Sequence, residues 1–108
     1  MVEVSELLRE CEGFEWDWHN AEKNWRRHLV SPAESEEVFF NRPLVAVEDV
    51  KHSERENRFY ALGQTDAGRR LFVAFTIRGK TIRVISVRDM NAKERKAYHG
   101  REKKDSAV

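Results

Sequence analysis

Apolar and polar positions change their period at Pro43. Before it they recur at helical spacing, and after it they fall into short β-rich runs. Val4, Leu7, Leu8 and Cys11 predict a short first helix that stops at Gly13. Phe14 and Trp16 alternate with Glu15 and Asp17, the pattern of a short strand with one buried face. Asp17 suits the N-cap of a helix over 18–29, on which Trp18, Ala21, Trp25 and Leu29 share one face. That stripe predicts core packing for Trp18 and Trp25, in preference to stacking on nucleobases. Ser31-Pro32-Ala33-Glu34 combines an N-cap, a first-turn proline and a capping box, and opens a helix expected to run to about Phe40.

Four strand-length runs follow: Leu44–Val47, Arg58–Leu62, Leu71–Ile77 and Thr81–Val87. Arg78-Gly79 joins the last two as a tight hairpin. Asn91-Ala92-Lys93-Glu94 repeats the capping logic and opens a final helix, closed at Gly100 and followed by a solvated tail. Segregated helices and strands predict an α+β domain: two helices, an antiparallel sheet of about four strands, and a C-terminal helix.

Length and composition narrow the classes. A chain of 108 residues holds one domain. Its longest apolar run, Leu71–Phe75, is far short of the roughly 20 residues that span a membrane. The acidic N-terminus has no apolar signal segment, and Cys11 is the single cysteine, so a reducing, cytoplasmic setting is expected.

The net charge of +1 conceals a split. Residues 1–65 carry 8 Lys/Arg against 14 Asp/Glu, a net of −6, and residues 66–108 carry 12 against 5, a net of +7. Such asymmetry points to a polyanion, or to a partner with acidic side chains.

Candidate chemistry is reached by elimination. His19, His28, His52 and His99 are scattered, so no metal site is expected, and no cofactor. Gly63, Gly68 and Gly79 read as turn residues, which leaves no phosphate loop. Arginine remains. Arg83 shares its parity with Ile85 and Val87, so it points toward a face those residues want buried. Either a carboxylate meets it, with Glu54 or Glu56 as candidates, or it lines a cleft for an anion that it clamps bidentately. Arg58 opens another strand that borders the same cleft if the strands pair. His28 is by default a structural histidine, and an acid or base if it borders that cleft. Tyr98 reads most simply as a packing residue with a polar handle.

Several of these segments, in this order, resemble the BrnT toxin family. They are Phe14-Glu15-Trp16-Asp17, Asn24 with Arg26-Arg27-His28-Leu29-Val30-Ser31, His52-Ser53-Glu54 leading into Arg58-Phe59 and Leu62-Gly63, and Arg83–Arg88 followed by Glu94-Arg95 and Tyr98. The resemblance spans 14–99. It leaves 1–13 as an N-terminal extension and 100–108 as a polar tail. It implies a RelE-like fold and a ribonuclease toxin of a bacterial type II toxin–antitoxin pair that inhibits translation. It also implies a BrnA-like antitoxin that carries the complex to operator DNA. The implied catalytic set is His28, Arg58, Arg83, Arg88, Glu54 and Tyr98, with Lys23, Arg27, Arg78 and Lys80 binding RNA and no metal. His28 is the acid or base, the arginines stabilise charge, Glu54 is a weaker base, and Tyr98 orients or stacks a base. Two positions depart from the family pattern: Asn20 stands where a lysine is usual, and Leu29 where a glycine is. Lys23, one turn later, is the substitute for the missing charge. The alternative reading is a weak or inactive toxin fold that serves as antitoxin partner and co-repressor.

Overall fold

A computed structural model describes residues 3–106. Residues 1–2 of the expected extension and 107–108 of the expected tail lie outside them. The elements are α1 (Val4–Arg9), β1 (Gly13–Glu15), α2 (Trp18–His28), α3 (Pro32–Val38), β2 (Val45–Glu48), a 3-10 turn (Val50–His52), β3 (Arg58–Gln64), β4 (Arg70–Arg78), β5 (Thr81–Asp89) and α4 (Ala92–Ser106).

The caps form as the residues dictate. The Asp17 carboxylate accepts from the His19 N–H at 2.8 Å. Ser31 and Glu34 bond reciprocally across the first turn of α3, and Asn91 and Glu94 do the same for α4. Each arrangement satisfies N–H groups that a helix start otherwise leaves unpaired.

The sheet corrects the expectation of about four antiparallel strands. It has five, in the order β1-β5-β4-β3-β2, and β1 runs parallel to β5 while the other pairs are antiparallel. The extra strand is the Phe14 alternation, which finds its partner 68 positions later (Phe14 beside Ile82). Beyond β1 the edge of β5 is covered by α2, where the Asn24 side-chain oxygen accepts from the Val87 N–H at 3.3 Å. An edge strand so covered offers no template for further pairing.

One face of the sheet carries the core: Phe59, Ala61, Leu71, Val73, Phe75, Ile82, Val84 and Val87, closed by Val30 and Val38. Gly63 is not a turn residue as expected but lies inside β3 beneath α3. A Cβ there would come within 2.5 Å of the Val38 side chain, so only glycine permits this close approach. The opposite face is covered at one end by α4, where Tyr98 packs with Leu62 and Met90. Its other end presents Arg58 and Arg78 exposed, with Thr76 buried between them.

Two further expectations fail. The stripe on α2 is not buried: this helix hides Ala21 and Asn24, while Trp18, Trp25 and Leu29 are exposed. Packing against a strand edge requires small and polar side chains, which leaves the large apolar ones outside. The last helix also does not stop at Gly100 but runs to Ser106. Both carboxylate oxygens of Glu102 accept from Arg70, at 2.8 and 2.9 Å, and tie the added turns to the sheet.

Candidate active site

Directly paired residues share a sheet face, so the register fixes what the open face presents. One row is Arg58–Thr76–Arg83, and the next is Tyr60–Ala74–Ser86. Leu62–Phe72–Arg88 follows, at the edge of α4. Two strand spacings put the Arg58 and Arg83 backbones about 10 Å apart across Thr76. Thr76 itself is buried and donates its hydroxyl to the Asn57 carbonyl at 2.9 Å.

Arg83 reaches this face for a reason its sequence parity conceals. The register slips between Ala74 and Phe75: Ala74 pairs with Ser86 and Phe75 with Val84, which leaves Ile85 without a partner. This bulge reverses the alternation. Val84 and Val87 both enter the core, and Arg83 faces away from them. The expectation that Arg83 shares a face with Val87 is therefore corrected.

Arg83 is met by carboxylates, though not by Glu54 or Glu56. Its guanidinium donates to Asp17 at 3.1 Å and to Glu15 at 3.5 Å. The His19 N–H chiefly holds the Asp17 carboxyl below the usual range, helped by the Asn20 N–H and by Arg83. Glu56 instead forks onto Arg78, with two contacts of 3.2 Å. Arg78, with Arg83 behind it, lowers the Glu56 carboxyl likewise. Arg88 forks onto Glu94 at 2.8 and 3.0 Å and lies 4.2 Å from the centre of the Phe72 ring. Burial opposes the Glu94 charge, but the Arg88 guanidinium and the Asn91 N–H outweigh it and lower its proton affinity.

Arg58 differs. The segment 49–57 folds back on its backbone: the Ser53 hydroxyl accepts from the Arg58 N–H at 3.0 Å, and the Asp49 N–H donates to its carbonyl at 2.8 Å. Among the described residues its guanidinium meets no carboxylate. It borders an open depression of about 400 Å³ lined by Lys51, His52, Glu54, Arg55, Glu56 and Arg58. The Asp49 carboxylate lies 2.8 Å from Nδ1 of His52 and orients that imidazole.

The residues implied by the resemblance thus divide. Arg58, Glu54, Arg83 and Arg78 gather at the open end of the sheet, with Lys80 on the adjoining turn, 3.5 Å from Glu12. Arg88 shares the face but lies two rows away. His28 sits at the far end of α2, beside Asp89, and its carbonyl accepts from Arg69 at 2.9 Å. Eleven residues of helix separate it from Asp17, about 16 Å. Lys23 and Arg27 ride on the same helix. Tyr98 is fully buried and donates its hydroxyl to the Pro43 carbonyl at 2.7 Å, under α4 and away from the Arg58 end of the sheet. Burial also raises its proton affinity.

Sequence reasoning missed three things here. His52 pairs with Asp49 at a spacing of three, a signal present but unused. Tyr60 shares its parity with Arg58 and stacks on Phe72, with ring centres 5.4 Å apart and planes 24° apart. Asp17 was legible as a cap but not as the partner of Arg83. Among the described residues no three metal-donor side chains converge, and no helix is long and apolar enough to cross a membrane.

A family model described as "Ribonuclease toxin, BrnT, of type II toxin-antitoxin system" matches residues 16–94. No curated protein matches the chain. Among solved structures, the crystal structure of the Brucella abortus ribonuclease toxin BrnT is similar, with 21% identity and a TM-score of 0.53. The similarity covers 73% of this chain and 96% of that one, and it bears on the fold alone.

Proposed function

The chain belongs to the BrnT family of ribonuclease toxins of type II toxin–antitoxin systems, and from that premise we propose that its open sheet face binds single-stranded RNA and cleaves it without a metal ion. The observation that carries this is Arg58, whose guanidinium meets no carboxylate among the described residues, in one depression with His52 and Glu54.

Cleavage requires the 2′-oxygen to lose its proton and attack phosphorus, the phosphorane charge to be held, and the departing 5′-oxygen to gain a proton. Arg58 and Arg83 straddle Thr76 and suit the phosphorane oxygens. Partly exposed ion pairs are worth about 0–1 kcal/mol, so a phosphate displaces Glu15 and Asp17 from Arg83 at little cost. His52 and Glu54 are the proton carriers this geometry favours, in place of His28. Arg78, Lys80 and Arg88 extend the cationic track, and Tyr60 on Phe72 offers a base a ring to stack on.

The toxin domain in this reading is 14–99 and its architecture is RelE-like. Cleavage of cellular RNA inhibits translation. A BrnA-like antitoxin neutralises the toxin and carries the pair to operator DNA, and the work is done in the cytoplasm. The alternative, a weak toxin fold serving as antitoxin partner and co-repressor, is favoured by two observations: both Arg83 and Arg88 are capped by carboxylates, and Asn20 stands in place of a lysine.

The test is cleavage of a labelled single-stranded RNA by the purified chain in the presence of a chelator. The proposal expects cleavage that Arg58→Ala and Arg83→Ala remove while both variants stay folded. A folded parent chain that leaves RNA intact selects the alternative.

A further inference from the structure

The charge split along the sequence has a structural address. Residues 66–108 hold 12 Lys/Arg. Six of them, Arg69, Arg70, Arg78, Lys80, Arg83 and Arg88, meet a carboxylate on or beside the sheet. The other six all stand on α4 and meet no carboxylate among the described residues. The helix's own acids do not balance them, because Glu94 and Glu102 turn inward to Arg88 and Arg70 and only Asp105 is left. Helical spacing then sorts the cations. Tyr98 is buried and marks the inner side of α4. At about 100° per residue, Lys93, Lys96, Lys103 and Lys104 fall within about 60° of the opposite direction, and all four are exposed. Arg95 and Arg101 lie nearer the sheet, where Arg95 donates to the Met90 carbonyl. The outer side of α4 is therefore a stripe of lysines about 16 Å long with no acid in it.

Gly100 adds a second, independent observation. It sits inside α4 at the centre of this stripe, and its neighbours one turn away on either side are Lys96, Ala97, Lys103 and Lys104. A glycine within a helix costs stability. Nothing in this chain asks for it: a Cβ there would meet no atom within 4 Å, and the positive φ values belong to Gly68 and Gly79. Bare backbone ringed by three lysines lets an external chain of anions come close.

The stripe's chemistry selects its ligand. A protein partner buries an apolar centre, and a helix lying in a membrane surface needs an apolar flank; the stripe offers nothing larger than Ala97. A single strand needs rings on which its bases stack, and the stripe has none. A duplex keeps its bases stacked inside and presents phosphates, which lysines meet as point charges. Arg88, at the end of the sheet face, forks onto Glu94 in the first turn of α4, so the two surfaces adjoin. We propose that Lys93, Lys96, Lys103 and Lys104, around Gly100, hold the phosphate backbone of a duplex segment of the RNA that the sheet face cuts. This rests on the RNA-cleaving reading and adds a second contact to it. All of the stripe but Lys93 lies beyond residues 16–94, which the family model matches.

The experiment uses the full chain and two labelled probes, an RNA hairpin with a single-stranded tail and the tail alone. Binding is followed by anisotropy over a range of salt, and cleavage by gel. Lys96→Gln with Lys103→Gln and Lys104→Gln is expected to weaken hairpin binding by about tenfold or more and to flatten its salt dependence by about three in the log–log slope. Binding and cleavage of the tail alone stay at the parent's values. Gly100→Gln keeps every charge; it is expected to raise the melting temperature and yet weaken hairpin binding, a pairing that a merely solvated glycine does not produce. Parent-like hairpin affinity and salt slope in the triple variant overturn the proposal. So does a loss that falls equally on the tail alone. A DNA hairpin of the same sequence that binds as tightly, through the same lysines, overturns the assignment to RNA. A parent chain that binds the hairpin through these lysines and cleaves nothing overturns the cleavage reading alone, which separates the two failures.

Discussion

Arg69 and Arg58 lie at opposite ends of the same sheet and are used in opposite ways. Arg69 gives every arm to the protein. Nε and Nη2 fork onto Asp89 at 2.8 and 3.0 Å, and Nη1 reaches the Leu29 carbonyl at 2.7 Å and Glu34 at 3.3 Å. Nη2 also reaches the His28 carbonyl. One side chain thereby satisfies the last carbonyls of α2 and joins them to α3 and β5. Asp89 first, and then Glu34, stabilise its charged form. Arg58 has its backbone fixed by Ser53 and Asp49, while its guanidinium is left to solvent. The residue type is the same, and the number of protein partners separates a structural cation from one available to a phosphate.

The largest effect expected from this contrast is on activity at Arg58. Arg58→Ala should lower the RNA cleavage rate by on the order of 10² to 10³-fold and shift stability by less than about 0.5 kcal/mol, as single-turnover kinetics and thermal melts will show. A comparable loss of activity per folded molecule in Arg69→Ala would break the comparison. Next, His52→Ala should cost about 10²-fold in rate, while His28→Ala, far from the depression, should leave the rate within a few-fold. The reverse order would return the proton carrier to α2.

Arg69→Ala should destabilise by on the order of 2 kcal/mol, through charged hydrogen bonds lost and carbonyls left unpaired, measured by urea unfolding. This effect has a pH signature. The Ser31 N–H and then Arg69 lower the Glu34 carboxyl, and Arg69 lowers that of Asp89. A carboxyl with a depressed folded value stabilises the fold above its ordinary value near 4 and loses that contribution as pH falls through the folded value. The stability gap between parent and Arg69→Ala should therefore be flat above about pH 5 and shrink below about pH 4. A gap that grows in acid would contradict this assignment. The smallest effect belongs to Asp17→Asn, which keeps an N-cap side chain but frees Arg83 of a charge. RNA binding at low salt should tighten by about two- to threefold and lose that gain in high salt.

Parts of this molecule were legible in one dimension because their physics is local. The capping boxes at Ser31–Glu34 and Asn91–Glu94 span three residues, and the Arg78-Gly79 hairpin joins neighbours, so each is complete within a few positions. Their interactions decide the helices, the strands of the meander and the α+β class before any packing is known. The BrnT resemblance extends this to family membership.

Other features depend on partners far away in sequence. Nothing near Phe14 announces a parallel partner at Ile82, and nothing near Arg83 tells that a bulge at Ile85 turns it from the core toward Asp17 and Glu15. The tryptophans of α2 show the same limit: periodicity placed Trp18 and Trp25 on one face, but the β5 edge demanded the asparagine face inward. Tyr98 read correctly as a packing residue with a polar handle, and only the fold revealed that Pro43 takes that handle. The sequence by itself determined which segments form and which side chains share a face of each. Tertiary structure alone decided which of those faces meets the core and which arginine of the sheet meets no carboxylate among the described residues, because burial and charge pairing are set by whichever residues the chain brings together.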